Sequence, residues 1–249
     1  MIFFQTIAVA FAMFSAVPVP QFEWNEKNMR YAMCAFPLIG LVIGGLWSLC
    51  GALPLPALVK AGGFCLLPVW VTGGIHLDGY ADTCDALSSY GDTAKKLEIL
   101  KDPHCGAFAV IYGGVYLLAY AGFAYEVFAA GHILLICPLF VLSRALSGLC
   151  AVNLPNARKS GMLCAFTSGV QRRTATAALA LAGLAAAAGM VWMSPTAGGM
   201  AAAFAVVSAL KYRRFALAQF GGVTGDTSGF FLQLCELCGL IGVWIGGLL

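Results

Sequence analysis

Charge is what this chain has least of. Lys, Arg, Asp and Glu supply 25 of its 249 residues, 10% of the chain, and only 11 of those are acidic. An average soluble domain carries about 25% charged residues, so a water-facing globular fold would have too little polar material for its surface. The same scarcity excludes a disordered chain, which needs high charge and low hydrophobicity. A net charge of +3, with no basic face, excludes a nucleic-acid binder. The first apolar stretch, residues 1–20, lacks a basic flank ahead of it, so no cleavable signal peptide is expected. No repeat at a solenoid or transporter-half period is evident.

What is present is apolar. The hydrophobic class makes up 61% of the residues and the mean hydropathy is +0.87, which describes a polytopic membrane protein with the lipid bilayer as its surroundings. Seven apolar spans are expected, at about 31–53, 58–75, 105–125, 133–152, 174–193, 197–210 and 228–249. The 197–210 span is short and reaches full length only if it runs on to Phe215–Phe220 with Lys211, Arg213 and Arg214 snorkelling. The fold class expected is therefore all-α, an integral membrane bundle of about seven transmembrane helices plus an N-terminal apolar segment. Residues 1–249 read as a single membrane-embedded catalytic domain. Residues 1–20, ending in Pro18-Val-Pro20, read better as an interfacial or re-entrant segment than as an eighth span.

Twelve of the 14 basic residues fall in alternate loops: Lys27 and Arg30; Lys95, Lys96 and Lys101; Arg158, Lys159, Arg172 and Arg173; Lys211, Arg213 and Arg214. The intervening turns hold none, and only Lys60 and Arg144 break the pattern. Basic loops favour the cytoplasmic side, so the charged loops are expected to face the cytoplasm. Most of the ten Cys lie inside apolar runs, where free Cys behaves as a small hydrophobe. Cys235-Glu-Leu-Cys238 sits in such a run and reads as helix packing ahead of a metal or redox motif.

The acidic residues follow a different rule. Six of the eleven lie within residues 76–104: Asp78, Asp82, Asp85, Asp92, Glu98 and Asp102. If 78–87 is helical, Asp78, Asp82 and Asp85 share one face, at i,i+4 and i,i+3, with Leu77, Tyr80, Ala81, Cys84, Ala86 and Leu87 interleaved. Three carboxylates so placed repel one another, and a divalent cation resolves the conflict. Mg²⁺ suits a few carboxylates plus water and substrate phosphate, and would stabilise displacement at phosphorus. The plainer alternative is a solvated acidic loop. Zinc fits less well, since only His76 and Cys84 stand near. Three further polar islands are candidates for the same site. Lys101-Asp102-Pro103-His104 ends the loop. Arg144 lies within a span, where a charge is costly and usually functional, the alternative being a pair with Glu126 or Glu236 that ties helices together. The glycine-rich turn Gly221-Gly-Val-Thr224-Gly-Asp226-Thr227 could present backbone N–H groups to an anion.

The stretch Gly73-Gly-Ile-His-Leu-Asp-Gly-Tyr-Ala-Asp-Thr-Cys-Asp85 resembles the signature of the cobalamin synthase (adenosylcobinamide-GDP ribazoletransferase) family. Pro18-Val-Pro20, Phe36-Pro-Leu-Ile-Gly-Leu41, Glu98-Ile-Leu-Lys-Asp102, Ser143-Arg144, Thr224-Gly-Asp226-Thr and Glu236 match in the same order, so the resemblance spans nearly the whole chain. It implies a membrane-bound, Mg²⁺-dependent transferase that joins α-ribazole, or its 5′-phosphate, to adenosylcobinamide-GDP with release of GMP, a late step of cobalamin biosynthesis. On that basis Asp78, Asp82 and Asp85 are expected to hold metal. Asp102 would be a further ligand or the base for the attacking hydroxyl. Lys101 and Arg144 would steady phosphate charge, and His76, Thr224 and Asp226 would contact substrate. The chain departs from the family pattern at Ala16, Ala86, Pro103, His104 and Gln233, and an Arg's permanent charge is not reproduced by His104. The oligomeric state, a homo-oligomer included, is open. Two other readings remain: an ion or solute transporter, and a membrane alcohol phosphotransferase, whose Asp-Gly-x-x-Ala block Asp78-Gly-Tyr-Ala81 only approaches and which needs an Arg after the Ala and a downstream acidic block, neither present here.

Overall fold

The computed structural model describes residues 2–249, and among them it is helical with no strand, apart from one isolated bridge between Asn156 and Val223. In chain order the helices are α1 (Ile2–Phe14), α2 (Glu26–Met29), α3 (Phe36–Ala52), α4 (Ala57–Thr72), α5 (Ile75–Ser88), α6 (Thr93–Ile99), α7 (Ala107–Ala129), α8 (Ile136–Asn153), α9 (Met162–Ser168), α10 (Arg172–Met193), α11 (Ala197–Phe220) and α12 (Gly225–Gly247). Long uncharged runs must satisfy their backbone groups internally once water is excluded, and the helix does this within one segment.

Five stretches are long and apolar enough to cross a membrane: Ala32–Ala52, Ala107–Ala129, Ile133–Asn153, Arg172–Met193 and Gly225–Gly247. α4 and α5 pass the same test only as a pair, bent by 95°, which is either a broken span or a re-entrant hairpin. α11 has the length but is made more polar by Lys211, Arg213 and Arg214, whose side chains are exposed on its outer surface. It runs unbroken to Phe220, as snorkelling cations permit. The seven expected spans are thus seven helical segments, five or six of which are apolar enough to cross on that criterion alone. The chain is an integral membrane protein. At 13 residues, α1 is about 20 Å long, short of the roughly 30 Å hydrocarbon core. It lies against the bundle through buried Ala8–Phe11 and Met13 while Ile2, Phe3 and Phe4 stay exposed, and Ala16 N–H donates to the Val71 carbonyl (2.8 Å).

The bend between α4 and α5 places the rest of the site. Gly73 and Gly74 both adopt left-handed backbone, at φ 64° and 82°, which residues with a Cβ resist. Their N–H groups donate to the Trp70 and Val69 carbonyls and close α4. α5 then packs between α7 and α12. It meets α12 at backbone contact: a Cβ on Gly79 would lie 2.8 Å from the Asp226 Cα, and one on Gly229 2.8 Å from the His76 carbonyl oxygen.

α12 is the most enclosed of the crossing helices and packs on α5, α7, α8 and α11. At its middle the Glu236 carboxylate accepts from the Arg144 guanidinium of α8, with side chains 2% and 1% exposed. Ser143 Oγ also accepts from Arg144, at 2.9 Å. The other stray cation, Lys60, donates to the Gly51 carbonyl (2.7 Å) and sits 4.6 Å from the Phe128 ring centroid. Trp47 Nε1 donates to the Phe64 carbonyl (2.8 Å) and stacks on the Phe64 ring. All ten cysteines are free, Cys235 buried among apolar neighbours.

The basic loops gather at one end of the bundle. Gln171 N–H donates to the Arg30 carbonyl, Lys96 Nζ to Gln219, and Arg172 to Asn153. Removing one member of a buried ion pair strands the other, at about 3–5 kcal/mol. Glu236→Leu is therefore expected to lower stability in detergent by that order, and the double variant Arg144→Met with Glu236→Leu to recover most of it, read by thermal or denaturant unfolding.

Candidate active site

At the charged end, a cavity of about 260 Å³ lies between α5, α12, the end of α8 and the 156–164 loop. Its inner wall includes Met13, Phe14, Met33, Phe36 and Leu232, and its outer part includes Asp78, Asn156, Arg158, Ser160 and Asp226. Two helix N-termini border it, that of α5 at Ile75 and that of α12 at Thr224 and Gly225. Both present the positive end of a helix dipole, the end that suits phosphate.

Asp226 is aimed by the turn before it. Thr224 caps α12: its Oγ1 accepts from Thr227 N–H (3.1 Å), and Thr227 Oγ1 accepts from Thr224 N–H (2.9 Å). The 155–157 segment pairs with this turn, Val223 N–H donating to the Pro155 carbonyl and Ala157 N–H to the Val223 carbonyl, each at 2.9 Å. That short parallel bridge carries Arg158 to Asp226, where Nη1 lies 3.3 Å from Oδ2. Arg158 is 22% exposed, and it also donates to the Leu97 carbonyl at 3.4 Å.

Of the expected residues, Asp78 is exposed at the cavity mouth, and Asp82, one turn on, is half-buried. Asp82 feels the negative charges of Asp78, Asp226 and Asp85, offset by Arg158. The α5–α12 contact thus brings Asp78, Asp82 and Asp226 into one electrostatic neighbourhood. Asp85 faces elsewhere: its Oδ2 accepts from Gly106 N–H (2.6 Å) and its Oδ1 from Ala109 N–H (2.8 Å), so it caps the start of α7. His76 is buried on the cavity wall with Nε2 unpartnered.

Lys101 and Asp102 are exposed on the loop before α7 and do not line the cavity. Asp102 accepts from His104 N–H (2.9 Å) and Nδ1 (2.6 Å), and these bonds hold its carboxyl below the usual carboxylate range. Arg144 is committed to Glu236 inside the bundle and does not line the cavity either. Among the described residues no three His, Cys, Asp or Glu side chains already converge as a metal cage. Mg²⁺ keeps several waters and takes substrate oxygens, so hard carboxylates at a shared mouth fit it without such a cage.

Comparison with known proteins decides the family. The family model described as Cobalamin-5-phosphate synthase matches residues 6–244. This chain belongs to that family. A protein of Lachnoclostridium phytofermentans named adenosylcobinamide-GDP ribazoletransferase is 41% identical over 235 residues, covering 92% of this chain and 89% of its own. Proteins of the same name from Clostridium perfringens and Acinetobacter baumannii are each 30% identical, covering 96% and 92% of this chain and 97% and 92% of theirs. No solved structure matches.

Within this Cobalamin-5-phosphate synthase family member, the structure adds Arg158 and Asn156 to the residues singled out from sequence. In the sequence Arg158 is one cation among four in a loop; only the pairing of its loop with the α12 turn shows where it goes. Gln233, a departure from the family pattern, accepts from Tyr116 OH at 2.6 Å within the bundle, away from the mouth. Because Asp85 serves as a cap, Asp85→Ala is expected to cost about 1–2 kcal/mol and to speed amide hydrogen exchange at residues 106–109. Unchanged exchange there would mean the cap has no structural weight.

Proposed function

We propose that this chain is an adenosylcobinamide-GDP ribazoletransferase whose reacting phosphate sits at the mouth formed by Asp78, Asp82, Asp226 and Arg158. A ribose hydroxyl of α-ribazole, or of its 5′-phosphate, attacks the phosphorus that carries the cobinamide. The new O–P bond replaces the bond to the bridging oxygen, GMP departs with that oxygen, and adenosylcobalamin or its 5′-phosphate forms. The single observation that carries the assignment is the α5–α12 contact, which brings Asp78 and Asp82 within electrostatic reach of Asp226 and its partner Arg158, near two helix N-termini.

Asp78, Asp82 and Asp226 would hold Mg²⁺, which when bound neutralises phosphate charge and favours in-line displacement. Asp85 is assigned a supporting role, fixing α7 beside α5. Arg158 takes the charge-stabilising part expected of Arg144 and Lys101, since developing charge on the phosphate and on GMP is best met by a preorganised cation. A mouth carboxylate can serve as proton acceptor for the attacking hydroxyl, so Asp102, which lies off the cavity, is not required at the reacting atoms. The one-sided distribution of Lys and Arg supports a mouth that faces the cytoplasm, and the family reading makes the membrane the bacterial plasma membrane. A transport reading is less well supported: transporter sites lie near the bilayer midplane, and here the deep charges Arg144 and Glu236 neutralise each other.

Purified Asp78→Asn and Asp226→Asn, assayed for GMP release with Mg²⁺ present, are expected to lose at least about 100-fold in turnover, and Arg158→Gln a similar factor. Near-normal turnover of Asp78→Asn would sink the metal-site assignment.

A further inference from the structure

We propose that a groove between α11 and α12, on the outer surface of the bundle, binds one phospholipid with an anionic head group. Lys211 and Arg214 hold the head group, and an acyl chain lies along Phe204, Val207 and Leu234. The groove has a volume of about 600 Å³, within the range of ligand pockets. It shares no lining residue with the cavity at Asp78 and Asp226. Val207, in its wall, is 48% exposed, so the groove opens outward to the membrane.

Helix pairing sets the direction of the groove. Tyr212 stacks on Phe231 and Phe215 on Phe230, with ring centroids 4.7 and 5.4 Å apart. The Lys211 end therefore adjoins the first two turns of α12, at the charged end of the bundle. From Lys211 to Ala203, the deep end, α11 runs about 12 Å. One leaflet of a roughly 30 Å hydrocarbon core is about 15 Å deep, so the groove has the length of one leaflet's acyl chain. Lys211 selects the head group. The hydroxyls of the lining are engaged: Ser208 Oγ donates to the Ala205 carbonyl (2.7 Å) and Tyr212 OH to Thr227 Oγ1 (3.1 Å). Lys211 is exposed and, among the described residues, pairs with no carboxylate. Arg214, at i+3, is its exposed neighbour. A snorkelling cation at the edge of the hydrocarbon is met by an anion at head-group depth. A second copy of the chain does not supply one. Among the described residues, the one exposed carboxylate on a crossing helix is Glu126, near the end of α7 opposite the charged loops. Phe230, in the floor of the groove, also stacks on Tyr80 of α5 (5.4 Å), so a lipid against Phe230 braces the α5–α12 contact.

The test is native mass spectrometry of the full-length protein in detergent, titrated with phosphatidylglycerol or with phosphatidylcholine of the same acyl chains. No turnover is measured, so the outcome is independent of the transferase reading. One phosphatidylglycerol per chain is expected to bind about 25-fold more tightly than phosphatidylcholine, at about fivefold for each of the two cations. Lys211→Gln is expected to cut that preference about fivefold, and Lys211→Gln combined with Arg214→Gln to remove it. Arg173→Gln, an exposed cation of α10 at the same end of the bundle, should leave it unchanged. Val207→Trp, which fills the groove from an exposed position, should remove the tightly bound phosphatidylglycerol. Equal affinity for the two lipids in wild type, a preference unchanged in Lys211→Gln, an equal loss in Arg173→Gln, or tight lipid retained in Val207→Trp would overturn the proposal. Competition by glycerol 3-phosphate, which carries the phosphate without the chains, would also overturn it. So would a dimer that Val207→Trp dissociates, since a second copy would then fill the groove.

Discussion

The close approach of α5 to α12 governs the charged end of this molecule. Gly79 and Gly229 let two helix backbones touch, and that contact sets Asp78 and Asp82 beside Asp226. Carboxylates in such proximity repel one another, so the arrangement persists because packing elsewhere holds it. The left-handed pair Gly73-Gly74 turns the chain out of α4 into α5. Asp85 then fastens the far end of α5 to the start of α7, and Tyr80 stacks on Phe230 between the two contacts. The strain of like charges is thereby stored at one mouth, where Arg158 offsets part of it and a phosphate-bound divalent cation would offset the rest.

The deep ion pair serves a different purpose. Arg144 and Glu236 sit a few turns below the mouth, on the helices that wall the cavity. In an apolar interior two opposite charges can be tolerated only together, so the pair specifies how α8 docks on α12. That docking sets the cavity floor, to which Ser147 and Gly148 contribute one turn beyond Arg144. The chain uses its few charges in two ways: buried ones that neutralise each other and register helices, and exposed ones that meet substrate.

Much of this was legible in the sequence. Apolar runs of crossing length and the alternation of basic loops gave the helices and their common charged end, because hydropathy acts locally along the chain. The spacing of Asp78, Asp82 and Asp85 pointed to one helix face, and the helix is there. What spacing along one helix cannot show is what stands opposite it. Asp85 turns to the N-terminus of α7, and Arg144 turns to Glu236, the alternative already visible in the sequence. Arg158 reaches the site through a three-residue pairing between loops far apart in the chain, which leaves no periodic trace. Lys101 and Asp102 belong to the same acidic stretch in sequence, yet the exposed loop carries them off the cavity.

The central claim is that carboxylates from α5 and α12 act as one site. A double-variant cycle on kcat/KM for GMP release tests it most directly, using Asp78→Asn, Asp226→Asn and the two combined, at saturating Mg²⁺. If the two share one task, the combined variant falls little further than either alone. Losses that simply multiply would show two independent contributions and would contradict the account.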